Sequence, residues 1–159
     1  MKKERFYKLA NNRFLFRLYL IARLPAAWFM RVQLLQCTPE GTVVRLPYGW
    51  RSQNPFRSTY FAAQCAAGEL STGMLCLAAL QEKPPVSMLV THIEAEFFKK
   101  ADKPLTFRCD QGIEVATLIE HMLEDGQARS LEMKSIGTLP DGVKASEVRV
   151  QWSFKPKQS

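Results

Sequence analysis

The 159-residue sequence has only two histidines, His92 and His121, and neither has a cysteine or a second histidine at ligand spacing, so no metal site is expected. Its four cysteines, Cys37, Cys65, Cys76 and Cys109, form no C-x-x-C pair. Two of them, Cys65 and Cys76, fall in a stretch read below as a buried helix. A free thiol behaves there as a small apolar group, so reduced cysteines in a cytoplasmic protein are expected over a disulfide framework. An uncharged apolar run of the ~20 residues that a bilayer span needs is missing as well. The stretch nearest to one, Phe14 to Met30, is broken by Arg17, Arg23 and Pro25, and the two arginines also interrupt it as the apolar region of a cleaved signal. There are no repeats and no low-complexity segments.

Acidic residues are nearly missing from the first 31 positions. Glu4 stands alone there against eight Lys and Arg, whereas the remainder holds fourteen residues of each sign. The net charge of +7 therefore belongs to the N-terminal segment, and the rest carries no basic stripe of the kind that binds nucleic acid. Within that segment Tyr7, Phe14, Leu18 and Ile21 recur at near-helical spacing, which predicts a basic amphipathic helix. The chain reads as this helical segment over 1–34 followed by one domain over 35–159. The helix either covers one end of the domain or, through residues 1–31, makes peripheral contact with anionic lipid or with the phosphates of a nucleotide-bearing ligand.

What is present is 47% hydrophobic residues, enough for a sizeable core in a single domain. Ser58 to Gln81 is the most informative stretch. It has no proline and is apolar almost all round, which predicts a long helix, N-capped by Ser58 or Thr59 and buried on every side. Its alanines and the glycines at 68 and 73 allow a sheet to come close to its backbone. Thr42 to Tyr48 reads as a first strand. Period-two alternation predicts further strands over Thr91–Phe97, Leu105–Asp110 and Val148–Lys155. Ile113 to Glu124 has helical periodicity, Arg129 to Thr138 reads as a strand, and Asp141-Gly142 is a hairpin turn signal. The expected order is helix, strand, long helix, two strands, short helix, two strands: an α+β fold whose antiparallel sheet curls around one apolar helix.

Within that helix the only carboxylate is Glu69. Burying an unpaired charge costs several kcal/mol, and no cationic residue stands three or four positions away. Such an acid takes a raised pKa, a mark of functional sites; the bland alternatives are a cap on a loop's amides or a place at a subunit seam. Asn54, in the loop before the helix, offers amide donors, or simply forms the turn ahead of Pro55. Tyr60 adds a phenol or packs. Backbone N–H groups from Tyr60 to Ala62 lie at the positive end of the helix and suit a developing oxyanion.

Asn54, Tyr60 six residues on and Glu69 nine further resemble the motif of PaaI-like hotdog-fold thioesterases: an Asn, a His-Gly pair at the start of the central helix, and an Asp or Glu nine residues later. Asn-Pro-Phe at 54–56, Glu-Leu-Ser-Thr-Gly at 69–73 and Glu94 to Ala101 are similar to a branch of that superfamily, over roughly residues 35 to 155. The resemblance implies a hotdog fold and hydrolysis of acyl-CoA or acyl-carrier thioesters. Glu69 would be the general base or the nucleophile, Asn54 would position water or carbonyl, and Tyr60, Phe61, Ala62 and Thr72 would contact substrate. Coenzyme A enters only as part of the substrate, with no cofactor, and the assembly implied is a homodimer, in some relatives paired into tetramers. Tyr60-Phe61 replaces His-Gly here, which leaves a non-catalytic acyl-CoA or fatty-acyl binding module as the alternative, membrane-associated or not, and dehydratase-like chemistry as a third. His92, Glu94 and Glu96 share one strand face, and Lys99 and Lys100 are either simply exposed or meet coenzyme A phosphates.

Overall fold

The computed structural model of the protein describes residues 2–157. Residues 1, 158 and 159, the outer ends of the two segments read from the sequence, lie outside the described residues. The elements run α1 (Lys3–Ala10), α2 (Arg13–Arg23), α3 (Pro25–Phe29), β1 (Gln33–Cys37), β2 (Thr42–Leu46), α4 (Phe61–Ala79), β3 (Val86–Phe97), β4 (Leu105–Cys109), α5 (Gly112–Asp125), β5 (Arg129–Thr138) and β6 (Lys144–Pro156). The six strands form one antiparallel sheet in the order β1-β2-β4-β5-β6-β3. It curves around α4, which packs on β2, β4, β5 and β6. This is the hotdog arrangement.

The sheet reaches α4 because Gly68 lets it. A Cβ on Gly68 would stand 2.6 Å from Cβ of Val148 on β6, closer than carbon atoms approach. Polar pegs then fix the helix's rotation. Thr42 Oγ1 donates to the Ser71 carbonyl at 2.7 Å, and the buried Ser71 and Ser135 hydroxyls lie 2.6 Å apart. Leu70, Met74 and Leu75 are buried beside them, each worth ~1.5–3 kcal/mol against exposure. On the outer face, Glu147 binds Lys144 at 2.6 Å and Arg149 at 2.9 Å, and these two bonds, Lys144 first, hold its carboxyl down at about 2. Arg149 also pairs with Glu94 and Glu96, so these two members of the His92 strand face form an ion network while His92 is exposed.

Several expectations need correction. The N-terminal segment is three helices, not one, broken at Asn11-Asn12 and at Leu24-Pro25. Asn12 starts α2 by accepting from the Phe14 and Leu15 amides. That break resets the helical phase. Phe6, Ala10, Phe16 and Leu20 face the core, while Phe14, Leu18 and Ile21 of the expected stripe face outward. β1 precedes the strand taken as first; two glutamines and a bulge between Leu34 and Gln36 hide its alternation. The sheet begins at Gln33, and the N-terminal helices share the core cluster of the sheet. β3 starts at Val86, five residues before the expected Thr91; the bulge between Val90 and His92 shifts the inward phase and hides this first part from the alternation. α4 is shorter than Ser58–Gln81 and is not buried all round: Phe61, Ala62, Cys65, Ala66, Glu69 and Leu77 line a strip left open.

Candidate active site

Glu69 stands midway along α4 on that open strip. Its carboxylate makes no hydrogen bond or ion pair among the described residues, and burial raises its pKa above the ordinary carboxylate value. The local sequence keeps space beside it. A Cβ on Gly73, one turn on, would lie 3.4 Å from Glu69 Oε1 and 3.3 Å from the Trp152 ring. Thr72 holds that ring: its hydroxyl accepts from Trp152 Nε1 at 2.9 Å and donates to the Glu69 carbonyl at 2.9 Å. Fully buried and with its hydroxyl engaged on both sides, Thr72 reaches the site only through Trp152. From α2, Tyr19 approaches the same carboxylate. Burial pushes its phenol up, Arg23 draws it down and Glu69 pushes it up again.

The second set of expected residues gathers at the start of α4. Neither Ser58 nor Thr59 caps the helix. Ser58 Oγ donates to Asn54 Oδ1 at 3.2 Å and Thr59 Oγ1 to the Ala101 carbonyl at 2.9 Å, so Tyr60 takes the cap position without a side-chain bond. The Tyr60 amide is also engaged, donating to the Ser52 carbonyl at 2.7 Å, and the Ala63 amide bonds back to the Tyr60 carbonyl at 3.0 Å. That leaves the Phe61 and Ala62 N–H groups free among the described residues, two donors rather than three at the positive end of the helix. Asn54 spends Oδ1 on the loop, accepting from the Phe56 amide at 3.0 Å and the Ser58 amide at 3.2 Å, while Nδ2 makes no bond among the described residues. Tyr60 and Phe61 are both exposed, with rings edge to face at 4.8 Å.

These groups border a cleft of about 500 Å³ between the start of α4 and the end of β3, lined by Asn54, Phe61, Gln64, Phe98, Lys99 and Lys100 among others. Gln64 is a functional candidate that the sequence reading passed over. It is buried, its Nε2 donates to the Thr59 carbonyl at 3.2 Å, and its Oε1 has no partner among the described residues. An unpaired buried carbonyl of this kind is uncommon. The signal was the same as for Glu69, a polar residue in an apolar helix, but it is lost when only ionisable groups are counted. A second hollow of about 300 Å³, walled by Phe6, Leu9, Leu15, Tyr19, Met74 and Leu77, lies between α1, α2 and α4. Met74 borders this hollow, whereas Phe56 and Phe61 border the cleft.

Eight residues of helix separate Phe61 from Glu69, a rise of about 12 Å. The Phe61 and Ala62 amides and the Glu69 carboxylate therefore stand at separate stations along α4.

Solved structures share this architecture at low identity. A Chlorobaculum tepidum protein of unknown function superposes with a TM-score of 0.75 at 12% identity, covering 89% of this chain and 92% of its own. A thioesterase from Haemophilus influenzae gives 0.63 at 11%, covering 87% and 88%. A Shewanella oneidensis protein proposed to be a thioesterase gives 0.73 at 10%, covering 96% and 99%. At such identities these are likenesses of fold. No curated protein matches the sequence. A family model does, over residues 12–152, and the chain belongs to that family, the domain of unknown function DUF4442.

Proposed function

We propose that the protein hydrolyses acyl thioesters of coenzyme A or of an acyl carrier, with Glu69 as general base. The observation that carries this reading is a half-buried carboxylate with no partner among the described residues, left accessible on the open strip of α4. Glu69 takes a proton from water as the water oxygen attacks the thioester carbonyl carbon. The oxyanion is held by the Phe61 and Ala62 amides and by Asn54 Nδ2. Collapse breaks the C–S bond, and Glu69 returns the proton to the departing sulfur, giving a carboxylic acid and a thiol. Lys99 and Lys100 at the cleft rim suit the phosphates of coenzyme A, and the hollow behind Tyr19 suits the acyl chain.

The 12 Å between the two half-sites is closed by a second copy. β3 is the bare edge of the sheet and exposes Leu89, Ile93 and Phe97. Pairing it with β3 of another protomer about a two-fold axis sets two α4 helices antiparallel along their open strips. The Glu69 of each then faces the start of the other's helix. Whether such homodimers pair further into tetramers is an outcome of solution mass measurement.

One feature favours the second reading, a module that binds acyl-CoA without cleaving it: the bulk of Phe61 at the mouth where the family motif has glycine. A panel of short, long and aromatic acyl-CoAs, offered to wild type and Glu69→Gln, separates the two. Turnover lost in the variant supports hydrolysis. No turnover on any substrate, with acyl-CoA still bound, leaves the binding module.

A further inference from the structure

α2 turns the wrong face outward for a helix that only covers a core. Of its eleven residues, Phe16 and Leu20 alone are buried. Phe14, Leu18 and Ile21 stack along the opposite side at intervals of four and three, with Phe14 69% exposed, and Leu15 and Tyr19 flank them. Phe14 to Ile21 make an exposed apolar ridge about 10 Å long, and Leu15 and Tyr19 on its flank also wall the hollow between α1, α2 and α4. Arg13, Arg17 and Arg23 border it, all exposed, and none forms an ion pair among the described residues. Behind it α1 adds Lys3, Arg5 and Lys8 against the single acid Glu4.

We propose that α2 docks the protein on an anionic phospholipid surface, with Phe14, Leu18 and Ile21 entering the acyl boundary and Arg13 and Arg17 meeting lipid phosphates. Charge selects this occupant. A second copy seated on the ridge would bring two segments of eight basic residues and one acidic residue against each other, which repels, whereas an anionic leaflet attracts the same array. No helix of the described residues is long and apolar enough to cross a bilayer, so α2 lies flat in the interface. The inference is independent of the thioesterase reading, since Phe14, Leu18 and Ile21 belong to neither half-site.

The test is co-sedimentation of the full chain with phosphatidylcholine vesicles, with and without phosphatidylglycerol. Binding is expected only with phosphatidylglycerol and weakens as salt rises. Phe14→Ser/Leu18→Ser/Ile21→Ser should lower the partition coefficient by about tenfold or more. Arg13→Gln/Arg17→Gln, which leaves every apolar residue in place, should lower it by roughly fivefold per charge removed. The second variant keeps the test decisive if the first fails to fold. No binding by wild type, equal binding to both vesicle types, or undiminished binding by folded variants would overturn the proposal. So would a triple variant that changes only the oligomeric mass, since that result assigns the ridge to a second copy.

Discussion

The carboxamide of Asn11 is clasped to the backbone of Cys37: its Nδ2 donates to the Cys37 carbonyl and its Oδ1 accepts from the Cys37 amide, each at 2.8 Å. Cys37 ends β1, so the turn between α1 and α2 closes the end of one outer strand of the sheet, while β3 at the other edge pairs only with β6 among the described residues. Exposed strand edges recruit other chains, and the clasp covers the Cys37 end of one of the two edges. Asn11→Ala removes both bonds at a part-buried site and is expected to cost about 1–3 kcal/mol. Urea unfolding measures it; a loss below experimental error would mean that β1 is held by packing alone.

If each site is shared between two chains, two dead variants should rescue each other. Homodimers of Glu69→Gln carry no base, and those of Asn54→Ala lack one oxyanion donor. In a heterodimer, one of the two sites receives both intact residues and the other neither. Random mixing after co-unfolding should return about a quarter of wild-type turnover, the share expected for a two-fold interface with one whole site per heterodimer. A mixture no more active than its components would place the whole site within one chain.

Most of the fold was legible because period and composition carry it. The alternation of β4, β5 and β6 and the apolar length of α4 needed no tertiary information to read. What escaped was whatever depends on a break in period. The bulges in β1 and β3 scramble alternation, and Asn12, a good helix cap, reads in isolation as one more polar residue on a helix. Glu69 was legible by chemistry, as the one carboxylate in an apolar helix. Its separation from the Phe61 amide follows from the helix rise, but which groups lie opposite its carboxylate is set by tertiary packing that spacing does not encode. The open strip of α4 was hidden because its residues, Phe61, Ala62, Cys65, Ala66 and Leu77, have the composition of a core face.

On the proposed reading, the hollow between α1, α2 and α4 receives the acyl chain and its depth limits chain length. Leu77 lies on its floor and is half-buried, so a larger side chain fits there by occupying the space. Leu77→Trp should leave kcat/KM for acetyl-CoA near wild type and lower that for decanoyl-CoA by about tenfold or more, as excluded methylenes are each worth ~0.8 kcal/mol. Displacement of a fluorescent fatty acid by decanoate reads the same hollow without turnover. An equal loss on both substrates would show that the substitution damages the site rather than its depth.

The last prediction joins stability to turnover through Glu69. In the unfolded chain its carboxyl titrates near the ordinary ~4.3. In the folded protein burial raises it. Between those two values the folded state keeps a proton that the unfolded state has lost, so stability falls as pH rises through this window and stays lower above it. Glu69→Gln never ionises there. Its melting temperature should therefore exceed wild type above the window, with the difference shrinking toward zero below the ordinary value. Turnover follows the same group in the opposite sense, rising with pH as Glu69 becomes able to accept a proton. The midpoint of that rise in kcat/KM and the upper end of the stability window should coincide, since both report one folded-state pKa. If the melting curves of the two proteins run parallel across pH, Glu69 is not the strained carboxylate that the proposed chemistry needs. If they diverge while turnover rises at a different pH, the burial is real and some other group is the base.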